Sequence, residues 1–559
     1  MTASLIICNG VILPAPGEAT GCPPATAVAV RAGRICRVGS DADVLALRAP
    51  DTEVIDAVGG LVMPGFDDAH SHVLAGGTWM HRLSLREAVT VEQALTLIGD
   101  YAGRHPDLEW IIGGGWNYQM FPGGLPTAEL LDRVMPDRPA AMVATDGHSL
   151  WVNSAALRLA GIDRNTPDPA NGTIQRDPHS GEPTGALLER ANALVHRVLP
   201  TRTVEDYLPE LRAAIAALHA SGFTAAQDPR TDYEEVPAWT ALRDAGELML
   251  RSRLALMMQP DQTLAEWCET LDEHAALVAQ FRDPLWLDGG IVKAFVDGVV
   301  ETGTAAMLTP YGHEHGHGLG KAAFSPDQLN AFVAEADRRG WQLQMHAIGD
   351  RAVRMSLDAV AHAIDENGPW NRNLLRCQSF TDRRHRIEHL EVTAPDDVPR
   401  FAQLGVIASA QPLHASIDPG RLAAWLELLG PERTSWAWPT AQIAAHGATI
   451  ALGSDWPVVD FDPFRTLEAA VNGSNAVGEP WASRAGSNAL SLPQALSAYT
   501  HGAAVAAYAE DRRGSVQVAK DADLAVLDRD LLAEGNSAIR GTTVAATVVG
   551  GVVVHRTAR

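Results

Sequence analysis

Two histidines one residue apart, in the run Pro64-Gly65-Phe66-Asp67-Asp68-Ala69-His70-Ser71-His72, are the first residues of this chain equipped for chemistry. Side chains of a strand alternate faces, so His70 and His72 point the same way, as two ligands of one metal ion must. A bare His-x-His arises by chance, and this one gains weight from the polar residues that close later apolar stretches. His346 closes Gln342-Leu343-Gln344-Met345-His346, His389 closes Arg386-Ile387-Glu388-His389, and Asp455 closes Ala451-Leu452-Gly453-Ser454-Asp455. Four imidazoles and a carboxylate form a ligand set for a borderline divalent metal, zinc foremost, with iron, manganese and nickel also compatible.

Lys293 belongs with this set. It lies in the apolar stretch Ile291-Val292-Lys293-Ala294-Phe295-Val296-Asp297-Gly298 of a chain whose only other lysines are Lys321 and Lys520. A snorkelling or ion-paired strand lysine is one account of it. An ammonium cannot bind a metal, but a neutral lysine carbamylated by carbon dioxide becomes a bridging carboxylate, and beside the histidines this is the reading we favour.

These residues need a scaffold that brings strand ends to one face. Candidate strands run over Leu61 to His72, Gly222 to Asp228, Arg251 to Met258, Gly290 to Gly298, Trp341 to His346, Arg386 to His389, Val406 to Gln411 and Ala448 to Asp455. Between them, stretches such as Pro326 to Arg339 and Asp350 to Asp365 carry the apolar period of a helix. Strand and helix in alternation predict a parallel sheet, and eight repeats predict a closed (β/α)8 TIM barrel, residues 61–75 plus 206–513, with the polar strand ends at its mouth. Short β segments at both termini, residues 1–60 plus 514–559, are expected to pair into a composite β-sandwich. Residues 76–205 are too many for one crossover helix and read as an inserted α/β subdomain near the barrel mouth.

Composition narrows the partners. The chain has 559 residues, 46% of them hydrophobic, and a formal charge of −24, which repels a phosphate backbone and an anionic membrane surface alike. Neither nucleic acid nor membrane is an expected partner. The N-terminus lacks a basic region and an apolar core of signal-peptide length, so a cytoplasmic protein is expected. Cys8, Cys22, Cys36, Cys268 and Cys377 are scattered, with no pair at metal or redox spacing, and read as reduced thiols.

The His-x-His strand, the lysine of the fourth strand, two further strand-end histidines and the aspartate of the eighth resemble the amidohydrolase superfamily over nearly the whole chain. Within it, Gly115-Trp116-Asn117, Pro136-Asp137-Arg138-Pro139, Asp146-Gly147-His148-Ser149-Leu150-Trp151-Val152-Asn153-Ser154, Gly181-Glu182-Pro183-Thr184-Gly185 and Lys293-Ala294-Phe295-Val296-Asp297-Gly298 are similar to the branch of N-substituted formamide deformylases and YtcJ-type proteins. The resemblance implies one or two divalent metals per chain. His70, His72 and carbamylated Lys293 would hold one, Lys293, His346 and His389 the other, and Asp455 would contact the water between them and move its proton to the leaving amine. The implied activity is hydrolysis of a non-peptide C–N bond, in a linear N-substituted amide or formamide, by a metal-activated hydroxide. No Gly-x-Ser-x-Gly nucleophile motif competes with it. The alternatives are a cyclic amidohydrolase or deaminase and, from another class, a barrel that binds a small molecule without turnover.

For the small-molecule amide, Trp116 and Trp151 could supply an apolar wall, with core packing as the equal alternative. His148 and His414 follow apolar stretches and could hydrogen-bond a carbonyl. The loop His313-Glu314-His315-Gly316-His317 reads either as a solvated loop or as a cap. Barrels of this kind often dimerise, and a homodimer is left open.

Overall fold

The structure, a computed structural model, describes residues 2–16, 25–145, 147–312, 318–369, 382–415, 419–473 and 489–557. His313, His315 and His317, with Cys22 and Cys377, lie outside the described residues. Two compact units result, one of residues 1–73 and 215–559 and the other of residues 74–214.

The larger unit contains an eight-stranded parallel sheet. Its strands are β1 (Phe66–Asp68), β2 (Phe223–Asp228), β3 (Arg251–Met257), β4 (Leu287–Phe295), β5 (Gln342–Ala347), β6 (Arg386–His389), β7 (Ile407–Ala410) and β8 (Ile450–Leu452), each paired with the next in sequence. The ring closes through backbone bonds just past β1 and β8, from the Ala69 N–H to the Leu452 carbonyl at 3.1 Å and from the Asp455 N–H to the His70 carbonyl at 2.6 Å. Nearly every strand residue is buried, because helices cover the outer face of a parallel barrel while side chains fill its inside.

The covering helices form where the period predicts. Helix α1 (Pro326–Arg338) starts at Ser325, whose hydroxyl accepts the Gln328 N–H, and buries Leu329, Phe332, Val333 and Ala336. Helix α2 (Asp350–Asn367) buries Val353, Leu357 and Val360 on one stripe and ends at Gly368. The two pack against each other and against β5.

One expected strand divides. Leu61–Pro64 pairs antiparallel with Leu524–Leu527 in a five-stranded sheet of both termini, and only Phe66–Asp68 enters the barrel. The break falls at Gly65, where a Cβ would lie 2.1 Å from the Thr224 methyl, so no larger residue could turn the chain there. A continuous apolar run cannot reveal that its halves serve different sheets. The five-stranded sheet faces a four-stranded one containing Leu5–Cys8, Ala27–Arg31, Arg34–Gly39 and Glu53–Asp56, and Leu5, Val28, Val30, Val62, Leu524, Val526 and Val548 form the sandwich core.

The smaller unit is built on a six-stranded sheet in the order Gly172–Arg176, Pro183–Glu189, Ser149–Val152, Ala140–Ala144, Ile111–Trp116, Leu83–Ser84. The amphipathic helix Val91–Arg104 packs Leu95 and Ile98 into one of its cores. Cys8, Cys36 and Cys268 are free thiols. No described helix is long and apolar enough to cross a membrane.

Candidate metal centre

Past the ends of β1, β6, β7 and β8, four imidazoles gather on one carboxylate. The Oδ1 of Asp455 lies 3.2 Å from His72 Nε2 and 3.4 Å from His70 Nε2, while its Oδ2 lies 3.3 Å from His414 Nε2 and 3.9 Å from His389 Nδ1. His346, at the end of β5, adds a fifth ring 4.5 Å from that of His389, with its Nε2 3.3 Å from the Gly298 carbonyl. All are buried except His72, whose side chain keeps 18% of its exposure.

Local backbone makes this convergence possible. His389 follows Glu388 directly, and strict alternation would send the two to opposite faces. A left-handed backbone at His389 (φ 71°) and Leu390 (φ 57°) turns the chain, so that Glu388 and His389 both reach His70, Glu388 by a hydrogen bond and His389 with its ring centroid 4.9 Å away. Asp455 is also left-handed (φ 61°). Such backbone costs an ordinary residue of order 1–3 kcal/mol and persists where surrounding bonds over-determine it. Those bonds are present here. The Ser454 hydroxyl donates to Asp68 Oδ2 at 2.6 Å, and Gly453 sits where a Cβ would come within 2.6 Å of the His70 nitrogen.

Below the histidines lies a buried polar layer that sequence reasoning missed. The His70 Nδ1–H donates to Glu388 Oε2 at 2.5 Å, and Arg386 donates to Glu388 Oε1 at 2.9 Å, to Gln227 Oε1 at 2.6 Å and to the Ser409 hydroxyl at 3.1 Å. Burial opposes the charge on Glu388, but Arg386, His70 and Lys293 outweigh it and hold the carboxyl down at about 2. An ionised carboxylate only accepts, so Glu388 takes a hydrogen bond from Nδ1 and turns Nε2 of the ring toward Asp455. The signal was present in Arg386-Ile387-Glu388, whose alternation aims both charges into the barrel.

Lys293 sits on β4, its Cα in register with Met257 and Gln344. It is wholly buried, and its Nζ has no hydrogen-bond partner among the described residues. Burial lowers its pKa to about 8, which makes a neutral, nucleophilic amine accessible near neutral pH. Burial likewise holds the His389 imidazole well below its usual range and lowers that of His72. For His414 burial acts the same way, but Asp455 and Glu391 on either side push it up to about 9.

The donors fit a divalent cation. His389 Nδ1, His414 Nε2, Asp455 Oδ1 and Lys293 Nζ are all buried without a hydrogen-bond partner among the described residues, a cost that folded proteins rarely leave standing. His70, His72 and Asp455 each offer one ligand atom within 4.8 Å of the others, and so do His389, His414 and Asp455. Imidazole with carboxylate is the chemistry of zinc and its neighbours.

The remaining expected residues lie in the smaller unit. Trp116 and Trp151 are fully buried there, their indole N–H groups donating to the carbonyls of Met142 at 2.7 Å and Thr127 at 2.8 Å, and both pack on Phe121. Core packing accounts for both. His148 is half-buried, with its Nδ1 2.9 Å from Glu189 Oε2.

Comparison with known proteins agrees with this geometry. A family model described as "Amidohydrolase family" matches residues 53–555. The chain is 32% identical to Protein LONG AFTER FAR-RED 3 of Arabidopsis thaliana, over 99% of this chain and 91% of that one. It is 28% identical to N-substituted formamide deformylase of Arthrobacter pascens, over 95% and 94% of the two chains. A crystal structure of an uncharacterized metal-dependent hydrolase from Pyrococcus furiosus superposes with a TM-score of 0.71 at 25% identity, covering 94% of this chain and 99% of that one.

Proposed function

The chain belongs to the amidohydrolase family and is a metal-dependent hydrolase acting on carbon–nitrogen bonds, and on that premise we propose that its substrate is a linear N-substituted amide or formamide. The observation that carries this reading is the convergence of buried imidazoles on Asp455, with the unpartnered amine of Lys293 buried in the same barrel. His70, His72 and Asp455 would hold one divalent metal and His346 and His389 a second, with Lys293, as a carbamate, supplying a further carboxylate to the pair. The bound metals supply polarisation of the substrate carbonyl and a water acidic enough to serve as nucleophile at neutral pH.

The protein's own groups do the rest. Asp455 accepts the proton of the attacking water at a carboxylate oxygen and returns it to the nitrogen of the leaving amine, which departs neutral. His70 and His72 at Oδ1 and His414 at Oδ2 fix where the carboxylate stands. Glu388 holds the His70 ring with Nε2 turned toward the centre. The linear substrate class is supported by the likeness to the formamide deformylase over nearly the full length of both chains.

Product analysis separates this substrate class from its competitors. Zinc-loaded protein incubated with N-substituted formamides and acetamides, cyclic amides and aminopurines is expected to release a carboxylate and an organic amine from the first group. Ammonia from an aminopurine, or a ring-opened acid as the main product, would instead assign the site to deamination or cyclic amide hydrolysis.

A further inference from the structure

We propose that His414 is a further ligand of this metal centre, beside His389 and Asp455, so that the segment after β7 takes part in it. This rests on the metal-dependent reading above and adds a residue to it.

His414 is built the way His70 is built. Its Nδ1 lies 3.0 Å from Glu391 Oε1 and its Nε2 3.3 Å from Asp455 Oδ2, just as His70 sets Nδ1 on Glu388 and Nε2 3.4 Å from Asp455 Oδ1. A carboxylate on one ring nitrogen that turns the other toward a shared point is the arrangement by which metal-binding histidines are oriented. Asp455 thus stands between two histidines of the same design, one on each oxygen.

The backbone also couples His414 to His389. The side chain of Gln411 accepts the His389 N–H at 2.9 Å, and the Gln411 carbonyl accepts the His414 N–H at 3.0 Å. One residue therefore sets both. The two rings lie 5.6 Å apart with planes 23° from parallel, and His389, His414 and Asp455 each bring one ligand atom within 4.8 Å of the others. His389 Nδ1, His414 Nε2 and Asp455 Oδ1 have no hydrogen-bond partner among the described residues although all three are buried. His414 Nε2 faces the same Asp455 oxygen as His389 Nδ1, at 3.3 and 3.9 Å, so a cation held there would be shared by both rings.

The test is anomalous diffraction from crystals of the full chain soaked in zinc, with cobalt titrations of wild type, His414→Phe and Glu391→Gln. A zinc peak at bonding distance from His414 Nε2, about 2.0–2.1 Å, is expected. His414→Phe should weaken one of the bound metals at least about tenfold, and Glu391→Gln should weaken the same one about 10- to 100-fold or less, as loss of an orienting carboxylate does. Zinc found only at His70, His72 and the Lys293 bridge, or a His414→Phe titration identical to wild type, overturns the proposal while leaving the proposed function intact. Wild type that takes up no metal overturns both. The diffraction arm uses the unaltered protein, so a variant that fails to fold leaves it decisive.

Discussion

Asp455→Asn is expected to lower turnover of an N-substituted amide by roughly 10²- to 10⁴-fold, the usual worth of a positioned proton-transfer group, with metal content retained. Asparagine keeps the shape of the side chain and one oxygen donor, but it cannot take a proton from water and return it to an amine. The four imidazoles around Asp455 make this the most connected carboxylate of the centre, so truncation to alanine would confound loss of proton transfer with loss of structure. Steady-state kinetics on metal-analysed protein checks the prediction. Near-normal turnover would remove Asp455 from the proton path, and loss of metal in parallel with activity would make it a ligand first.

Glu388→Ala should damage the protein twice over. Arg386 would be left as a buried charge without its carboxylate, and breaking such a pair costs roughly 3–5 kcal/mol. His70 would lose the acceptor that orients its ring, which lowers metal affinity about 10- to 100-fold. The effects separate in the double variant Arg386→Met/Glu388→Leu, which replaces the pair with apolar groups of similar size. Denaturant unfolding of the double variant should return most of the stability, since buried pairs are often no better than the hydrophobic residues that replace them. Its zinc affinity should stay as low as in the single variant. Recovery of both together would make Glu388 a structural residue with no part in orienting His70.

The candidate ligands were legible because a barrel places function where sequence patterns end. Each of His70, His72, His346, His389 and Asp455 terminates or follows a short apolar run, and in a parallel barrel that position is the open face. The terminal β-sandwich could be read for a similar reason, since neither end carries enough strands to bury a face alone. What stayed hidden depends on contacts between residues far apart in sequence. The split of Leu61 to His72 falls at Pro64-Gly65, a local turn signal, but which sheet each half joins depends on distant partners, Leu524–Leu527 for one and Phe223–Asp228 for the other. Glu388 reads as a polar neighbour of His389 until His70 and Arg386 are seen on either side of it. His414 reads as a candidate carbonyl-binding histidine until Glu391 and Asp455 are seen beside its two nitrogens. Trp116 and Trp151 are ambiguous by nature, because a large indole serves a core and a binding wall equally well, and here Met142, Thr127 and Phe121 surround them.

The proposed chemistry requires two metals in this barrel beside a carbamylated Lys293. Elemental analysis of the full chain, purified without chelator and with bicarbonate present, tests it most directly when wild type is compared with Lys293→Ala. About two metals per chain in wild type, falling in the variant together with amide hydrolysis, and a carbamate seen on Lys293 are expected. One metal or none in wild type, or a variant that keeps its full complement, would contradict it.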